Sequence, residues 1–182
     1  MARDTLSRSL HDVGLAAWFG GTLANAVALN PAAAEATASQ DVGAVANVGW
    51  DRWTPVNAVA IGAHLAGSLG QVAGNKGRIA GQEGVASMAL AKTALTAAAL
   101  GVTAYSRMLG RKVSQETQMP AASGTEPEVG TPPAVADAQR KLAALQWAVP
   151  ALTGALVVVS SYAGEQERAS EVHRGFKQRL VG

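Results

Sequence analysis

Ionisable residues avoid four long stretches of this 182-residue chain. Val13 to Leu29 has none, Val56 to Ala73 has only His64, Gly84 to Ser106 has only Lys92, and Leu142 to Gly164 has none. Each stretch runs for about 17 to 23 residues, and about 20 helical residues, rising about 1.5 Å each, cross a hydrocarbon layer about 30 Å thick. Charges collect between the stretches. Arg3, Asp4, Arg8 and Asp12 precede the first, Asp51 and Arg52 the second, and Arg140 and Lys141 the fourth. Lys76, Arg78 and Glu83 separate the second from the third, which Arg107, Arg111 and Lys112 follow. The pattern predicts an all-α fold, an integral membrane four-helix bundle in a single domain over 1–182. Its transmembrane helices are expected at about 13–30, 55–73, 84–106 and 142–163. A soluble bundle needs a charged stripe on every helix, and Ala94 to Tyr105 and Leu142 to Tyr162 carry none. The first stretch is longer than the usual ~7–15-residue core of a secretory signal, so it is taken as a retained helix.

The connections differ in character. Pro31 to Gly49 is Ala-rich and predicts a surface helix, with Asn30 as its cap and Pro31 in its first turn. Trp50 and Trp53 flank Asp51 and Arg52 in the manner of an aromatic belt at the headgroup level. Pro55 then fits the start of the second span. The short, Gly-rich Gly74 to Glu83 connection predicts an antiparallel contact between the second and third spans. Between the third and fourth lies a long loop at 113–136, whose centre, PAASGTEPEVGTPP, predicts a mobile solvated segment. The 165–182 tail is polar. Lys and Arg number eight on the side that carries the N-terminus, the Gly74–Glu83 connection and the tail, and six on the other. By the positive-inside rule both termini belong in the cytoplasm of a bacterium, with the chain in its inner membrane.

Composition narrows the chemistry. There is no cysteine, which excludes disulfide staples, Cys-based zinc sites and iron–sulfur clusters. Fifteen basic against thirteen acidic residues leave no excess to neutralise a phosphate backbone, so no nucleic-acid partner is expected. Small residues recur at four-residue spacing, Ala16, Gly20 and Ala24 in the first span and Gly62, Ala66, Gly70 and Gly74 in the second. Such faces predict close helix contacts.

The second span also bears a polar stripe of Asn57, His64, Ser68 and Gln71, spaced to share one helical face. The third presents Lys92, Thr96 and Thr103. Ionisable groups inside a bilayer are costly and face the protein interior or a cavity. His64 and Lys92 lie at similar depths, about 12–14 Å from one face, and are expected to meet. These five residues, His64, Lys92, Asn57, Ser68 and Gln71, are the candidate intramembrane polar site. A haem between helices needs two histidines at matched depth. His11 is placed at the membrane edge, His64 near the middle and His173 in the tail, so no pair is expected. No phosphate-binding loop ends in Gly-Lys-Ser/Thr, and the acidic residues all lie outside the spans. No catalytic residue, metal site or cofactor is expected.

The run His11-Asp12-Val13-Gly14-Leu15-Ala16-Ala17-Trp18-Phe19-Gly20-Gly21 resembles the opening helix of CopD-like bacterial membrane proteins, where a His precedes a Trp-x-Gly-Gly turn. The resemblance covers one helix. It implies copper uptake, yet Met88, Met108 and Met119 form no cluster at ligand spacing. The layout as a whole is similar to uncharacterised four-helix membrane proteins of the Ala-rich actinobacterial type, which carry no assigned activity. The expected function is that of a non-enzymatic accessory or scaffold subunit, in contact with membrane lipid and with a protein partner or a second copy of itself. A small transporter or channel built on His64 and Lys92, and a redox or metal-binding membrane protein, are the alternatives.

Overall fold

The computed structural model describes residues 4–115 and 120–181. Helix dominates. Helix α1 (Thr5–Ala24) passes through a single π-helical stretch, Asn25–Leu29, into the short α2 (Asn30–Ala34). Pro31 offers no N–H to Val27 and its ring crowds that carbonyl. The wider π geometry just before it re-phases the helix without breaking it, and so Asn25, Ala26, Asn30 and Ala33 all turn inward.

Helix α3 (Ser39–Gly81) is one element of 43 residues, about 65 Å long at the α-helical rise. It corrects the expectation of a separate surface helix over Pro31–Gly49, and Pro55 lies inside it rather than at its start. Alanine is the strongest helix former, and the isolated Gly43, Gly49 and Pro55 do not interrupt the Ala-rich helix. The α3–α4 connection shrinks to Gln82–Gly84, where Gly84 takes a left-handed φ of 79° that a side chain would strain. Helix α4 (Val85–Ser114) follows, then strands β1 (Ala121–Ser123) and β2 (Glu126–Pro127), helix α5 (Pro133–Glu165) and helix α6 (Ala169–Val181). The stretch 113–136, expected as a mobile loop, begins in the last turn of α4 and ends in the first turn of α5. At its centre β1 and β2 pair antiparallel, with Ala121 and Thr125 buried. Residues 116–119 of it, Met119 included, lie outside the described residues, as do Arg3 and Gly182. Most of the polar tail forms α6.

Three helical segments are long and apolar enough to cross a membrane: Thr5–Ala34, Val85–Ser114 and Pro133–Glu165. Four were expected. The long α3 is not among them, because Asn57, His64, Ser68 and Gln71 lower the hydropathy of its uncharged stretch. α1 packs lengthwise against α3 and α4 against α5, while α1 meets α5 and α3 meets α4 over shorter contacts. The expected α3–α4 pairing is thus the looser one. Apolar packing falls into three small clusters rather than one core. Ala33, Val42, Ala46 and Ala121 pack at the hairpin end. Leu109, Val113, Val135 and Ala138 join α4 to α5. Trp18, Ala99 and Val149 join α1, α4 and α5 near mid-height.

Candidate polar site at the α1–α3 crossing

Two short repeats of one pattern build the crossing. His11-x-x-Gly14 lies on α1 and His64-x-x-Gly67 on α3. The helices run antiparallel, and each glycine receives the other helix's histidine backbone. A Cβ on Gly14 would collide with Ala60 O and His64 N, and one on Gly67 with Ser7 O and His11 N. Only hydrogen fits at either place. Gly21 makes room in the same way for the Trp53 ring, and Gly70 for the Ser7 side chain. The expected contact faces are therefore only partly used. Ala16, Gly20, Ala24, Gly62 and Ala66 are exposed, and nothing lies within 4 Å of a Cβ at Gly20 or Gly62. The true seam on α1 is Gly14 and Gly21, seven residues apart.

With the backbones this close, the His11 and His64 rings stack, their centroids 4.5 Å apart and their planes tilted by 46°. Trp18 meets the His64 ring edge-on at 6.1 Å. All three side chains are fully enclosed. Sequence depth had kept His11 at the membrane edge and apart from His64. The structure corrects this: α1 starts at Thr5, so His11 is already in its second turn and level with Gly67. The touching rings leave no gap for a porphyrin between them. His11 Nδ1 hydrogen-bonds the Asp12 carboxylate at 2.7 Å. His64 Nδ1 lies 3.3 Å from His11 O, and its Nε2 lies 3.4 Å from Thr96 Oγ1 on α4. His11 Nε2 is buried with no partner among the described residues.

The other residues of the α3 stripe spread along the α3–α4 seam. Ser68 donates to His64 O at 2.8 Å. Gln71 accepts from Asn75 through its carbonyl. Asn57 is buried near the hairpin end, with Oδ1 unpartnered. Two cavities lie in the seam. One of about 320 Å³ is walled by Asn57, Trp50, Trp53 and Thr103, and one of about 430 Å³ by Ser68, Gln71, Lys92 and Thr96. Lys92 therefore meets the cavity rather than His64. No hydrogen bond joins the two among the described residues; Thr96, one turn from Lys92, takes that place.

Polar clusters close both ends. At the tail end, Glu167 pairs with Arg8 and, at 3.0 Å, with Arg78. Arg78 also donates to Asn75, Gln82 and Gln166 O. Burial, and then repulsion from Arg8, lower the Arg78 pKa from its ordinary value, and Glu167 answers both cations. At the hairpin end, Asn30 donates to Gln146 at 2.7 Å and accepts from Trp50 Nε1 at 3.0 Å. Trp50 and Trp53 thus turn inward instead of acting as an exposed belt.

Thr96 was part of the third span's polar stripe and Trp18 of the His11–Gly21 run, but neither was expected against His64, and the Gly14–Gly67 exchange was not singled out from sequence. The repeated His-x-x-Gly was the available signal. Among the described residues no group of three or more His, Asp and Glu gathers at metal-ligand range. No family model, curated protein or solved structure matches the chain.

Proposed function

We propose that this chain is a multi-pass protein of the bacterial inner membrane, a four-helix bundle with both termini in the cytoplasm, acting as a non-enzymatic accessory or scaffold subunit. One observation carries the reading: large apolar side chains cover much of the outside while several polar side chains are buried. His11, Asn57, His64, Gln139 and Thr153 are buried, while Val13, Val59, Leu69, Leu90 and Val158 face outward. In water the exposed apolar surface would be an association hazard. Against acyl chains it costs nothing, and the buried polar groups become interhelical contacts. The α4 window is the extreme case, with 11 % of it buried inside the chain, which leaves a long apolar face for lipid, a protein partner or a second copy. A non-enzymatic role is supported by the burial of His64, which is 0 % exposed and held by His11 and Thr96 instead of being offered to a substrate.

Alkaline carbonate washing of membranes from expressing cells, followed by mild detergent extraction, tests both parts. The expected result is retention in the washed pellet and co-purification of a stoichiometric partner or a homo-oligomer. Release by carbonate would overturn the membrane assignment, and a lone monomer in every mild detergent would overturn the accessory role.

A further inference from the structure

Helices α3 and α4 are joined by three residues yet separate along their length. The larger cavity of about 430 Å³ lies between them at the tail end. Its walls are aliphatic, chiefly Leu65, Leu69 and Val72 of α3 and Met88 and Leu100 of α4. Leu69 is 72 % exposed while lining it, so the cavity opens sideways through an apolar lip.

Its hydroxyls and charged groups are already engaged, with one exception, while the Gln71 and Gln166 carboxamides are uncharged. The Ser68 hydroxyl is bonded to His64 O, Thr93 to Ala89 O and Thr96 to His64. The Arg78 fork is used on Asn75, Gln82, Gln166 and Glu167, and Glu167 is shared between Arg8 and Arg78. Asp12 is bonded to the His11 ring and forms no ion pair with Lys92 among the described residues. Of the charged side chains that line the cavity, Lys92 alone has neither ion pair nor hydrogen bond among the described residues. An unpaired cation at this place calls for a single negative charge. A phosphate is better met by a bidentate arginine, and the arginine here is occupied. The volume lies at the lower end of the range for small-ligand pockets, about 300–1,000 Å³, which suits one alkyl chain rather than the two of a phospholipid.

We propose that this cavity takes up a long-chain carboxylate from the bilayer, with the headgroup on the Lys92 ammonium and the chain along Leu65, Leu69 and Val72. The inference rests on the membrane reading above. It supplies that reading with a ligand class.

The full chain, purified in a non-ionic detergent and stripped of lipid, is titrated with palmitate, hexadecanol, phosphatidylglycerol and inorganic phosphate. Palmitate is expected to bind one per chain, at least about tenfold tighter than hexadecanol, the worth of one charge-assisted contact. Lys92→Met should erase that preference, and Lys92→Arg should keep it. The chain has no cysteine, so Leu65→Cys gives a unique thiol, which palmitate should shield from maleimide. Equal affinity for palmitate and hexadecanol, an unchanged preference in Lys92→Met, an unshielded thiol, tighter binding of phosphatidylglycerol, or binding of phosphate alone would each overturn the proposal. Carbonate washing of the same preparation's membranes is read separately. Retention without palmitate binding removes only this inference, and release removes the membrane reading.

Discussion

At Gly14 and Gly67 the absence of a methyl group lets two helix backbones touch. The price is steep for any substitution, because the obstructing atoms are main-chain ones, Ala60 O and His64 N at one site and Ser7 O and His11 N at the other. Gly14→Ala and Gly67→Ala should each destabilise by at least the ~1–3 kcal/mol of core overpacking. Gly20→Ala and Gly62→Ala meet nothing within 4 Å and should be neutral or gain up to the ~0.5–1 kcal/mol by which Ala exceeds Gly in a helix. Thermal unfolding of the four variants in one detergent measures the contrast; equal melting temperatures would refute the crossing. The α3 stripe was legible residue by residue, since Asn57, His64, Ser68 and Gln71 are spaced to share a face, and that face does turn to the α3–α4 seam. Its main partner was not legible. Which small residues of α1 meet α3 depends on the rotation of α1, and the four-residue spacing of Ala16, Gly20 and Ala24 is as regular as the seven-residue spacing of Gly14 and Gly21.

Elements were more visible by their cores than by their ends. Stretches free of charge mark where helices are apolar, and each lies in or overlaps a helix of the structure. Helix termini are set by caps and breakers, and here those signals are weak or overruled. Pro55 sits inside α3 although an interior proline costs about 3 kcal/mol. Pro31 is absorbed by the π-helical stretch before it. That re-phasing has a consequence at the far end of the bundle. It brings Asn30 inward, where one carboxamide donates to Gln146 of α5 and accepts from Trp50 of α3, so three helices are tied at one point. Asn30→Leu keeps the approximate size and strands both half-buried partners. A loss of about 1–3 kcal/mol is expected, the penalty for unsatisfied buried polar groups. The Trp50 emission should shift at the same time, since its indole loses the acceptor. An unaltered unfolding midpoint would show that the three helices are held without Asn30.

The whole molecule has two unlike ends. The tail end gathers Arg8, Arg78 and Glu167 under the α3–α4 turn, and α6 reaches that turn through the Glu83 N to Gly175 O bond. The hairpin end carries β1, β2 and the Asn30–Gln146–Trp50 tie, with the Arg107–Asp51 pair nearby at 2.7 Å. Separation of these ends along the helices is what makes an orientation testable. Positive residues near span ends are retained on the cytoplasmic side, and the proposed orientation, with the tail end there, rests on eight Lys and Arg against six. Val129, beyond β2, is 96 % exposed, and Ser170 in α6 is exposed too. Each position, changed to cysteine in a chain that has none, reports one end. In intact cells made permeable only at the outer membrane, an impermeant maleimide should label Val129→Cys and spare Ser170→Cys until the inner membrane is lysed. The opposite pattern would invert the chain, and labelling of both before lysis would mean that the two ends are not separated by a membrane.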